Sequence, residues 1–146
     1  MVSYSINRRV NYSTTTILLI IWRIIMAQMN ESVENYLETI LILSKRLPVV
    51  RAIDIVAELG FSKSSVSAAL KNLREKDYIL IESHGYITLT GDGLALAERI
   101  YERHLWFTKW LVSLGVDEAT ASTDACRMEH ALSSESFEAI KKSVEL

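Results

Sequence analysis

The segment RAIDIVAELGFSKSSVSAALKNL (51–73) decides the fold of this chain. It predicts a short helix over 51–59 that ends at Gly60, because glycine readily adopts the left-handed conformation that closes a helix. A second helix is predicted over 63–76, with Ser62 as its N-cap. The inner stripe of this second helix consists of apolar residues at i, i+4 and i+7, namely Val66, Leu70 and Leu73. Two short helices joined by a tight glycine turn are typical of a helix-turn-helix.

The residues that follow predict a β-hairpin. Two runs rich in β-branched and aromatic residues, YILIE (78–82) and YITLT (86–90), are separated by the tripeptide SHG (83–85). A hairpin directly after a helix-turn-helix is the arrangement of a winged helix-turn-helix, which is a DNA-binding fold. The sequence therefore predicts a winged helix-turn-helix DNA-binding domain over residues 29–92.

Helices are predicted on both sides of this motif. One opens near Asn30, with Asn30 or Ser32 as its cap, and ends before Pro48. After the hairpin, Thr90 is the predicted N-cap of a long helix that stops at Gly115. The C-terminal helices are predicted over 94–114, over 118–132, and from Ser133 or Ser134 to residue 144. The predicted fold class is therefore mainly α, with an all-helical domain over 93–146 following the winged helix.

Composition and charge limit the compartment and the partners. The chain has 146 residues, 49% of them hydrophobic, and its single cysteine excludes an intramolecular disulfide and fits a reducing cytoplasm. The net charge of −2 is unevenly distributed. Residues 45–76 carry seven basic and three acidic side chains (+4), whereas residues 117–146 carry three basic and seven acidic ones (−4). This asymmetry fits a polyanion beside the middle of the chain and cations beside its end, although two solvated faces would give the same counts.

Residues 1–28 are an extension with three arginines and no acidic residue. Its apolar run, residues 17–25, is interrupted by Arg23 and is far shorter than the roughly 20 residues that span a bilayer. Early arginines before an apolar run resemble a signal peptide, but no A-x-A cleavage motif follows. Two methionines offer alternative starts, Met26 and Met29. We expect residues 1–28 to be an extension of doubtful role, either not part of the native protein or a flexible tail, and we expect no membrane partner and a cytoplasmic protein; a membrane anchor is the competing interpretation.

The second helix of a helix-turn-helix enters the major groove of DNA. Its outer face here has no large apolar residue and carries serines and lysines, which bind phosphates and base edges. The predicted DNA-binding residues are Ser62, Lys63, Ser64, Ser65, Ser67 and Lys71. A capped surface helix without a ligand would show the same residues, so the hairpin is the feature that favours DNA.

The segment DACRMEHALS (124–133) raises the question of a metal site. Cys126, Glu129 and His130 share one face of a helix, because they stand at i, i+3 and i+4. Thiolate, carboxylate and imidazole bind divalent transition metals, but such a trio also occurs on ordinary helices.

Residues elsewhere in the chain bear on this question. His104 on the long helix and Glu38 on the first helix would join the trio if the first helix packs against the C-terminal helices. Asn35 lies on the same side of the first helix as Glu38. From the residues alone, a metal site and an ordinary helix face both remain open.

Residues 30–146 resemble the DtxR/MntR family of metal-dependent transcriptional repressors. The matching segments are ENYLETI (34–40), RAIDIVAELGFSKSSVSAALKNL (51–73), GYITLTGDG (85–93), RH (103–104), LGVDE (114–118) and DACRMEHALS (124–133). The resemblance implies a homodimer built through the C-terminal helices and a metal site where the first helix meets them, which makes 93–146 a metal-binding and dimerisation domain. The residues that match family ligands are Glu38, His104, Cys126, Glu129 and His130, with Asn35 at a further ligand position.

The resemblance also bears on the identity of the metal. Cys126 matches a position that is cysteine in the iron-responsive branch and glutamate in the manganese-responsive branch, whereas Glu38 matches a ligand of the manganese branch. Thr108 and Ser122 stand where the iron branch's second site has a carboxylate and an imidazole, so that second site is not expected in the same form. Because a thiolate is combined with hard carboxylates, Fe(II) or Mn(II) is the expected corepressor, with Zn(II) and Co(II) as alternatives.

The expected function is metal-gated repression at a palindromic operator in double-stranded DNA, upstream of metal-homeostasis genes. The alternative is a winged-helix regulator with a vestigial metal site. An enzyme is not expected, because the sequence offers no separate general base and no substrate-binding motif beside the candidate metal ligands.

Overall fold

The computed structural model describes residues 13–144 and is mainly helical, as predicted. Its elements are α1 (Thr14–Arg46), α2 (Ala52–Leu59), α3 (Lys63–Glu75), β1 (Ile79–Ile81), β2 (Ile87–Leu89), α4 (Gly91–Ser113), α5 (Glu118–Ala131) and α6 (Ser134–Ser143). The chain divides into two compact units, Met1–Asn30 and Glu31–Leu146. The first twelve residues of the predicted extension and the last two of the predicted helical domain lie outside the described residues.

The described part of the first unit is a single apolar helical segment. Its start is capped by Ser13, whose Oγ accepts a hydrogen bond from the Thr16 backbone N–H at 3.2 Å. Its large hydrophobic side chains are all exposed: Ile17, Leu18, Leu19, Ile20, Ile21, Trp22, Ile24, Ile25, Met26 and Met29. Helix α1 is long and apolar enough to cross a membrane, because an 18-residue stretch of it has a mean hydropathy of 1.2. Signal sequences and the core helices of soluble proteins also meet this criterion. The absence of a membrane partner stays a prediction.

The predicted helix start near Asn30 is wrong, because α1 already begins at Thr14. No glycine or proline stands between Thr14 and Asn30, so nothing in this segment breaks the backbone hydrogen-bond ladder. Asparagine lowers helix propensity only slightly, and one such residue does not create a terminus inside a long helix.

The core of the winged helix unites α1, the helix-turn-helix and the hairpin. Its apolar residues are Tyr36, Leu37, Ile40, Leu41, Leu43, Val50, Ile55, Val66, Leu70, Leu73, Ile79, Ile87 and Ala97. The turn between α2 and α3 closes as predicted, because Gly60 takes a left-handed φ of 68° and its N–H bonds to the Val56 carbonyl. At the start of α3, the Ser62 hydroxyl accepts a hydrogen bond from the Ser65 N–H, which confirms the predicted N-cap.

The hairpin is shorter than predicted but pairs as expected. β1 and β2 are antiparallel, with Leu80 opposite Thr88. An isolated bridge between Val50 and Ile87 joins the segment before α2 to strand β2 of the wing. The outer residues of the predicted strands still bond across the hairpin, because the Glu82 N–H donates to the Tyr86 carbonyl at 2.9 Å and the Thr90 N–H to the Tyr78 carbonyl at 3.0 Å.

Gly93, near the start of α4, is required by packing. A Cβ atom at this position would lie 2.0 Å from the Tyr78 carbonyl oxygen, far closer than two such atoms can approach. The same carbonyl accepts the Thr90 N–H at 3.0 Å, and the Thr90 hydroxyl accepts the Gly93 N–H at 3.1 Å. The close approach fixes where α4 leaves the hairpin, and therefore where its later residues lie.

A second, smaller apolar cluster holds the C-terminal helices together. Phe107, Ala125 and Phe137 are buried, and Trp106, Trp110, Met128 and Leu132 pack against them. The Trp106 ring stacks on Trp110 with centroids 5.6 Å apart and meets Phe137 edge to face. The predicted caps of α4 and α6 are confirmed at Thr90 and Ser133.

Candidate metal centre and DNA-binding face

Three helices bring two carboxylates and one imidazole together at a buried point. Glu38 comes from α1, His104 from α4 and Glu129 from α5, and each offers one ligand atom within 4.8 Å of the others. The His104 Nδ1–H donates to Glu129 Oε2 at 2.9 Å. Glu38 is 6% exposed and Glu129 is 0% exposed, so both carboxyl groups are removed from water.

Both carboxyl groups keep a buried oxygen that makes no well-formed hydrogen bond. Among the described residues these oxygens are Oε1 of Glu38 and Oε1 of Glu129, although His130 Nε2 lies 3.3 Å from the latter. An unsatisfied buried oxygen costs about 1–3 kcal/mol, and more when it is charged. A divalent cation bound between these oxygens would remove that cost, and carboxylate and imidazole are ligands that such cations prefer. The residues present therefore fit a metal ion.

The electrostatics of this cluster depend on how its charges are shared. Burial, reinforced by the neighbouring Glu129, raises the pKa of Glu38 to about 7. Burial also opposes ionisation of Glu129, but the hydrogen bond from His104 and the nearby His130 ring, 3.3 Å from Oε1, outweigh it and lower the pKa of Glu129. The hydrogen bond to Glu129 raises the pKa of His104 against the opposing effect of burial. Glu129 is thus the permanent anion, and Glu38 carries a proton that a cation can displace.

His130 lies next to this cluster and bonds to Glu34, which was not among the predicted site residues. Its Nδ1 is 2.8 Å from Glu34 Oε2, and its Nε2 is 3.3 Å from Glu129 Oε1. Burial opposes protonation of the ring, but these two carboxylates outweigh it and raise the pKa of His130 to about 9. The spacing of Glu34 and Glu38 in the sequence could have indicated that Glu34 lies near the site, because residues four apart share one face of a helix.

Cys126 lies outside the close group of ligand atoms. The residue is exposed, yet local desolvation, followed by the charges of Glu129 and Glu38, raises the pKa of its thiol. Asn35 is half-buried on α1, and its backbone carbonyl accepts a hydrogen bond from the Thr39 hydroxyl at 2.8 Å. Of the six expected ligands, the structure thus brings Glu38, His104 and Glu129 together, with His130 beside them.

The residues at the positions of the iron branch's second site both contact His104. The Thr108 hydroxyl donates to the His104 carbonyl at 2.9 Å, and Ser122 Oγ lies 3.4 Å from His104 Nε2. These positions therefore carry hydroxyl groups instead of a carboxylate and an imidazole, and of the two only the Ser122 hydroxyl reaches the His104 ring.

Arg103 is a buried residue of this region that the sequence analysis did not single out. Its guanidinium donates to the backbone carbonyls of Glu129 and Leu132, at 3.0 and 2.9 Å, and to the Ser134 hydroxyl at 2.9 Å. The two carbonyls belong to the C-terminal end of α5, where a positive charge is favoured by the helix dipole. Arg103 therefore joins α4 to the end of α5 and the start of α6. It precedes His104 in the chain and bonds to the backbone of Glu129, so it supports two residues of the cluster.

All six predicted DNA-binding residues lie on the exposed face of α3 or at its cap: Ser62, Lys63, Ser64, Ser65, Ser67 and Lys71. The Ser62 hydroxyl pairs with those of Ser64 and Ser65 at 3.0 and 2.8 Å. A groove of 380 Å³ separates this face from the hairpin, and its lining includes Lys71, Arg74 and Gly85. A basic groove between a recognition helix and a wing suits a phosphate backbone.

The wing is attached to the start of α2 by an arginine that the sequence analysis did not identify. The Arg51 guanidinium lies 4.9 Å from the Tyr86 ring centroid and donates to the Tyr86 hydroxyl at 3.3 Å. The His84 ring also lies beside Tyr86, with the two ring centroids 5.9 Å apart. This arrangement places a basic side chain beside the hairpin on the exposed surface.

The fold and the cluster together define a class: a winged-helix DNA-binding regulator with a buried carboxylate–imidazole centre formed by α1, α4 and α5. Comparison with known proteins narrows this class. Residues 28–87 match the family model described as the iron dependent repressor N-terminal DNA binding domain. Residues 90–145 match the iron dependent repressor metal binding and dimerisation domain. The chain belongs to the iron-dependent repressor family, that is, the DtxR/MntR family, as predicted.

Individual relatives agree with this assignment. An uncharacterised HTH-type transcriptional regulator of Methanocaldococcus jannaschii is 36% identical over 77% of this chain and 92% of its own length. The transcriptional regulator MntR of Escherichia coli is 33% identical over 79% of this chain and 74% of its own length. A manganese-dependent transcriptional repressor solved in complex with manganese is 26% identical, with a TM-score of 0.68 over 76% of this chain. This chain spans about half of that structure, 51%. The protein is a DNA-binding transcription regulator of a metal-dependent repressor family and not an enzyme, as predicted.

Proposed function

We propose that this protein represses metal-homeostasis genes when Fe(II) or Mn(II) binds between α1 and the α4–α5 pair. The observation that carries the proposal is the buried group of Glu38, His104 and Glu129, in which one oxygen of each carboxyl group makes no well-formed hydrogen bond. The proposed ligands are Glu38, His104, Glu129 and His130, with Cys126 and Asn35 as the remaining candidates. Oxygen and nitrogen ligands at the centre favour Mn(II) or Fe(II), and recruitment of the Cys126 thiolate would favour Fe(II).

Helix α1 is the element that would connect the metal to DNA. Leu37 and Ile40 are fully buried in the winged-helix core together with Ile55 and Val66 of the helix-turn-helix. Glu38, on the same helical turn, belongs instead to the cluster with His104. A cation that holds Glu38 against α4 and α5 would therefore restrict the position of the whole DNA-binding domain. When bound, the metal supplies positive charge that attracts these carboxylates.

In a homodimer, this restriction would set the distance between the two α3 helices. A palindromic operator presents its half-sites about one DNA turn apart, so only some spacings of the two helices allow both to bind. We expect a coupling of about 1–3 kcal/mol, which corresponds to roughly 5–150-fold tighter DNA binding in the presence of metal.

The test is an anaerobic titration of DNA from the protein's own upstream region with Mn(II), Fe(II) or Zn(II). Glu38→Gln is the informative variant, because the amide has the shape and neutrality of the protonated carboxyl but cannot bind a cation as an anion. We expect it to lose most of the metal-dependent gain while keeping the metal-free affinity. Glu98→Gln, an exposed change on α4 with the same loss of charge, is the matched control.

The alternative of a vestigial metal site makes the opposite prediction. In that case Mn(II) and Fe(II) would leave DNA affinity unchanged in the original protein as well as in Glu38→Gln. Equal metal response in Glu38→Gln and Glu98→Gln would likewise exclude Glu38 from the switch.

A further inference from the structure

A carboxylate–histidine pair joins α1 to α5 behind the candidate metal centre. Glu34 Oε2 lies 2.8 Å from His130 Nδ1, although the two residues are 96 positions apart in the chain. The His130 side chain is 4% exposed and that of Glu34 is 22% exposed, so the contact is largely shielded from water. Such a pair is not a feature of α1 itself, since its two members come from helices that meet only in the folded protein.

The geometry distinguishes the two nitrogens of the His130 ring. Nδ1 is 2.8 Å from Glu34 Oε2, while Nε2 is 3.3 Å from Glu129 Oε1, on a residue of the candidate metal centre. A carboxylate that accepts a hydrogen bond from Nδ1–H keeps the proton on that nitrogen and leaves the Nε2 lone pair free for a metal. The carboxylate that accepts from His104 Nδ1–H is Glu129, which is itself a proposed ligand, and His104 Nε2 lies near the Ser122 hydroxyl, so among the described contacts only His130 has a carboxylate partner outside the proposed ligand set.

We infer that Glu34 is a positioning residue that selects Nε2 of His130 as the metal-binding atom and fixes the orientation of its ring. This inference rests on the proposed function, in which His130 is a ligand. Glu34 itself touches no metal in this scheme and acts only through His130. Because Glu34 and Glu38 stand one turn apart on α1, the helix is held to α5 at two points, one of them through the metal.

Two alternatives lead to different results. Glu34 and His130 could form an ion pair that only fastens α1, in which case removing Glu34 would lower stability without changing the bound nitrogen. His130 could instead bind metal through Nδ1, in which case Glu34 would compete with the metal and its removal would strengthen binding.

The variants are Glu34→Gln and Glu34→Ala, with Glu31→Gln as the matched control. Glutamine keeps an oxygen that can accept the Nδ1–H bond but lacks the charge, whereas alanine removes the acceptor. Glu31→Gln makes the same charge change three residues earlier on α1, at an exposed position. Thermal unfolding of the metal-free proteins shows whether each variant is folded, and if Glu34→Ala is not, Glu34→Gln carries the test.

Metal affinity is measured with Mn(II) alone, without DNA. Loss of a partner that orients a metal-binding histidine typically costs 10–100-fold in affinity. We expect a loss of roughly this size in Glu34→Ala, a smaller loss in Glu34→Gln, and affinity within about twofold of the original protein in Glu31→Gln. Wild-type affinity in Glu34→Ala, or tighter binding, would overturn the inference.

The second measurement identifies the bound nitrogen directly. Zn(II) is diamagnetic, so ¹⁵N chemical shifts of the His130 ring report which nitrogen binds metal and which carries hydrogen. We expect Nε2 bound and Nδ1 protonated in the original protein, with a mixture of the two ring forms in Glu34→Ala. Binding through Nδ1 in the original protein, or an unchanged ring signature in Glu34→Ala, would contradict the assignment.

These results are separable from the proposed function. If metal binds with the predicted dependence on Glu34 but DNA affinity ignores the metal, the positioning role stands and the gating proposal fails. If the metal response of DNA binding is present and Glu34→Ala behaves as the original protein, only the positioning role fails. If the original protein binds neither Mn(II) nor Zn(II), both are wrong.

Discussion

Metal binding to this protein should release protons, and the number released should fall as the pH rises. Three of the proposed ligands hold protons near neutral pH. The pKa of Glu38 is raised to about 7 and that of His130 to about 9, and the hydrogen bond to Glu129 raises the pKa of His104 above its usual value. A cation requires the carboxylate form of Glu38 and a free ring nitrogen on each histidine, so these protons compete with it. Apparent affinity should therefore increase with pH.

The two pKa values set the size of this effect. At pH 6 Glu38 and His130 are almost fully protonated and together should release about two protons, whereas at pH 8 only His130 still holds one and their contribution falls to about one. Integrated between pH 6 and pH 8, these two groups alone correspond to a rise of roughly a thousandfold in apparent affinity, and the His104 proton adds to it. The raised pKa of the Cys126 thiol adds a diagnostic, because binding through its thiolate would release one further proton at both pH values.

The assay is isothermal titration calorimetry with Mn(II) alone in buffers of different ionisation enthalpy. The slope of the measured heat against buffer enthalpy gives the number of protons released. Glu98→Gln should match the original protein, while Glu38→Gln should release about half a proton fewer at pH 7, the fraction that Glu38 still carries there. An affinity that stays constant from pH 6 to pH 8 would refute the reasoning, as would release of less than one proton at pH 6.

The metal-free protein should show the opposite dependence on pH. Because the pKa of His130 is raised above the usual value of 6.5, its pairing with Glu34 and Glu129 stabilises the fold at low pH. That stabilisation is complete below about pH 6.5 and is lost as the pH rises through about 9. The thermal midpoint without metal should therefore decrease over this range, while added Mn(II) should stabilise the protein most at the upper end.

Two further predictions concern packing and DNA. Gly93→Ala should destabilise the protein by about 1–3 kcal/mol in chemical denaturation, because its Cβ would meet the Tyr78 carbonyl at 2.0 Å. Gly91→Ala is the control and should have little effect, because a Cβ there would lie in open space. Equal losses of stability at the two positions would show that the close approach is unimportant. Lys71→Ala should weaken DNA binding equally for operator and unrelated sequences, and the slope of log affinity against log salt concentration should fall in magnitude by about 1. Lys109→Ala, an exposed change on α4, should have neither effect. An unchanged slope for Lys71→Ala would show that this residue does not contact DNA.

Local chemistry explains why much of the fold could be predicted. Helix ends depend on groups within three or four residues, so Ser62, Thr90 and Ser133 could be recognised as caps from the sequence, and each accepts the expected backbone hydrogen bond. The glycine turn at Gly60 is equally local. The start of α1 was missed because Asn30 is compatible with a cap but does not force one, and the neighbouring residues continue the helix.

The candidate site was predictable only in part, for a related reason. Residue types and helical spacing indicated that Cys126, Glu129 and His130 share a face, and the family resemblance added Glu38 and His104. Spacing along one helix does not show which atoms face a third helix. In the structure Glu129 meets His104 while Cys126 stays exposed at the edge.

By itself, the sequence determined the winged helix, the order of the C-terminal helices, the family and the residue types available for metal. Each of these depends on periodicity, capping or motif, which are encoded within short stretches of chain. Only the tertiary structure decided that Glu34 bonds to His130 and that Gly93 must be glycine. It also showed that two buried oxygens lack partners. These facts depend on how whole helices pack, because the partners lie far apart in the chain and meet only when the apolar faces of α1, α4 and α5 are buried.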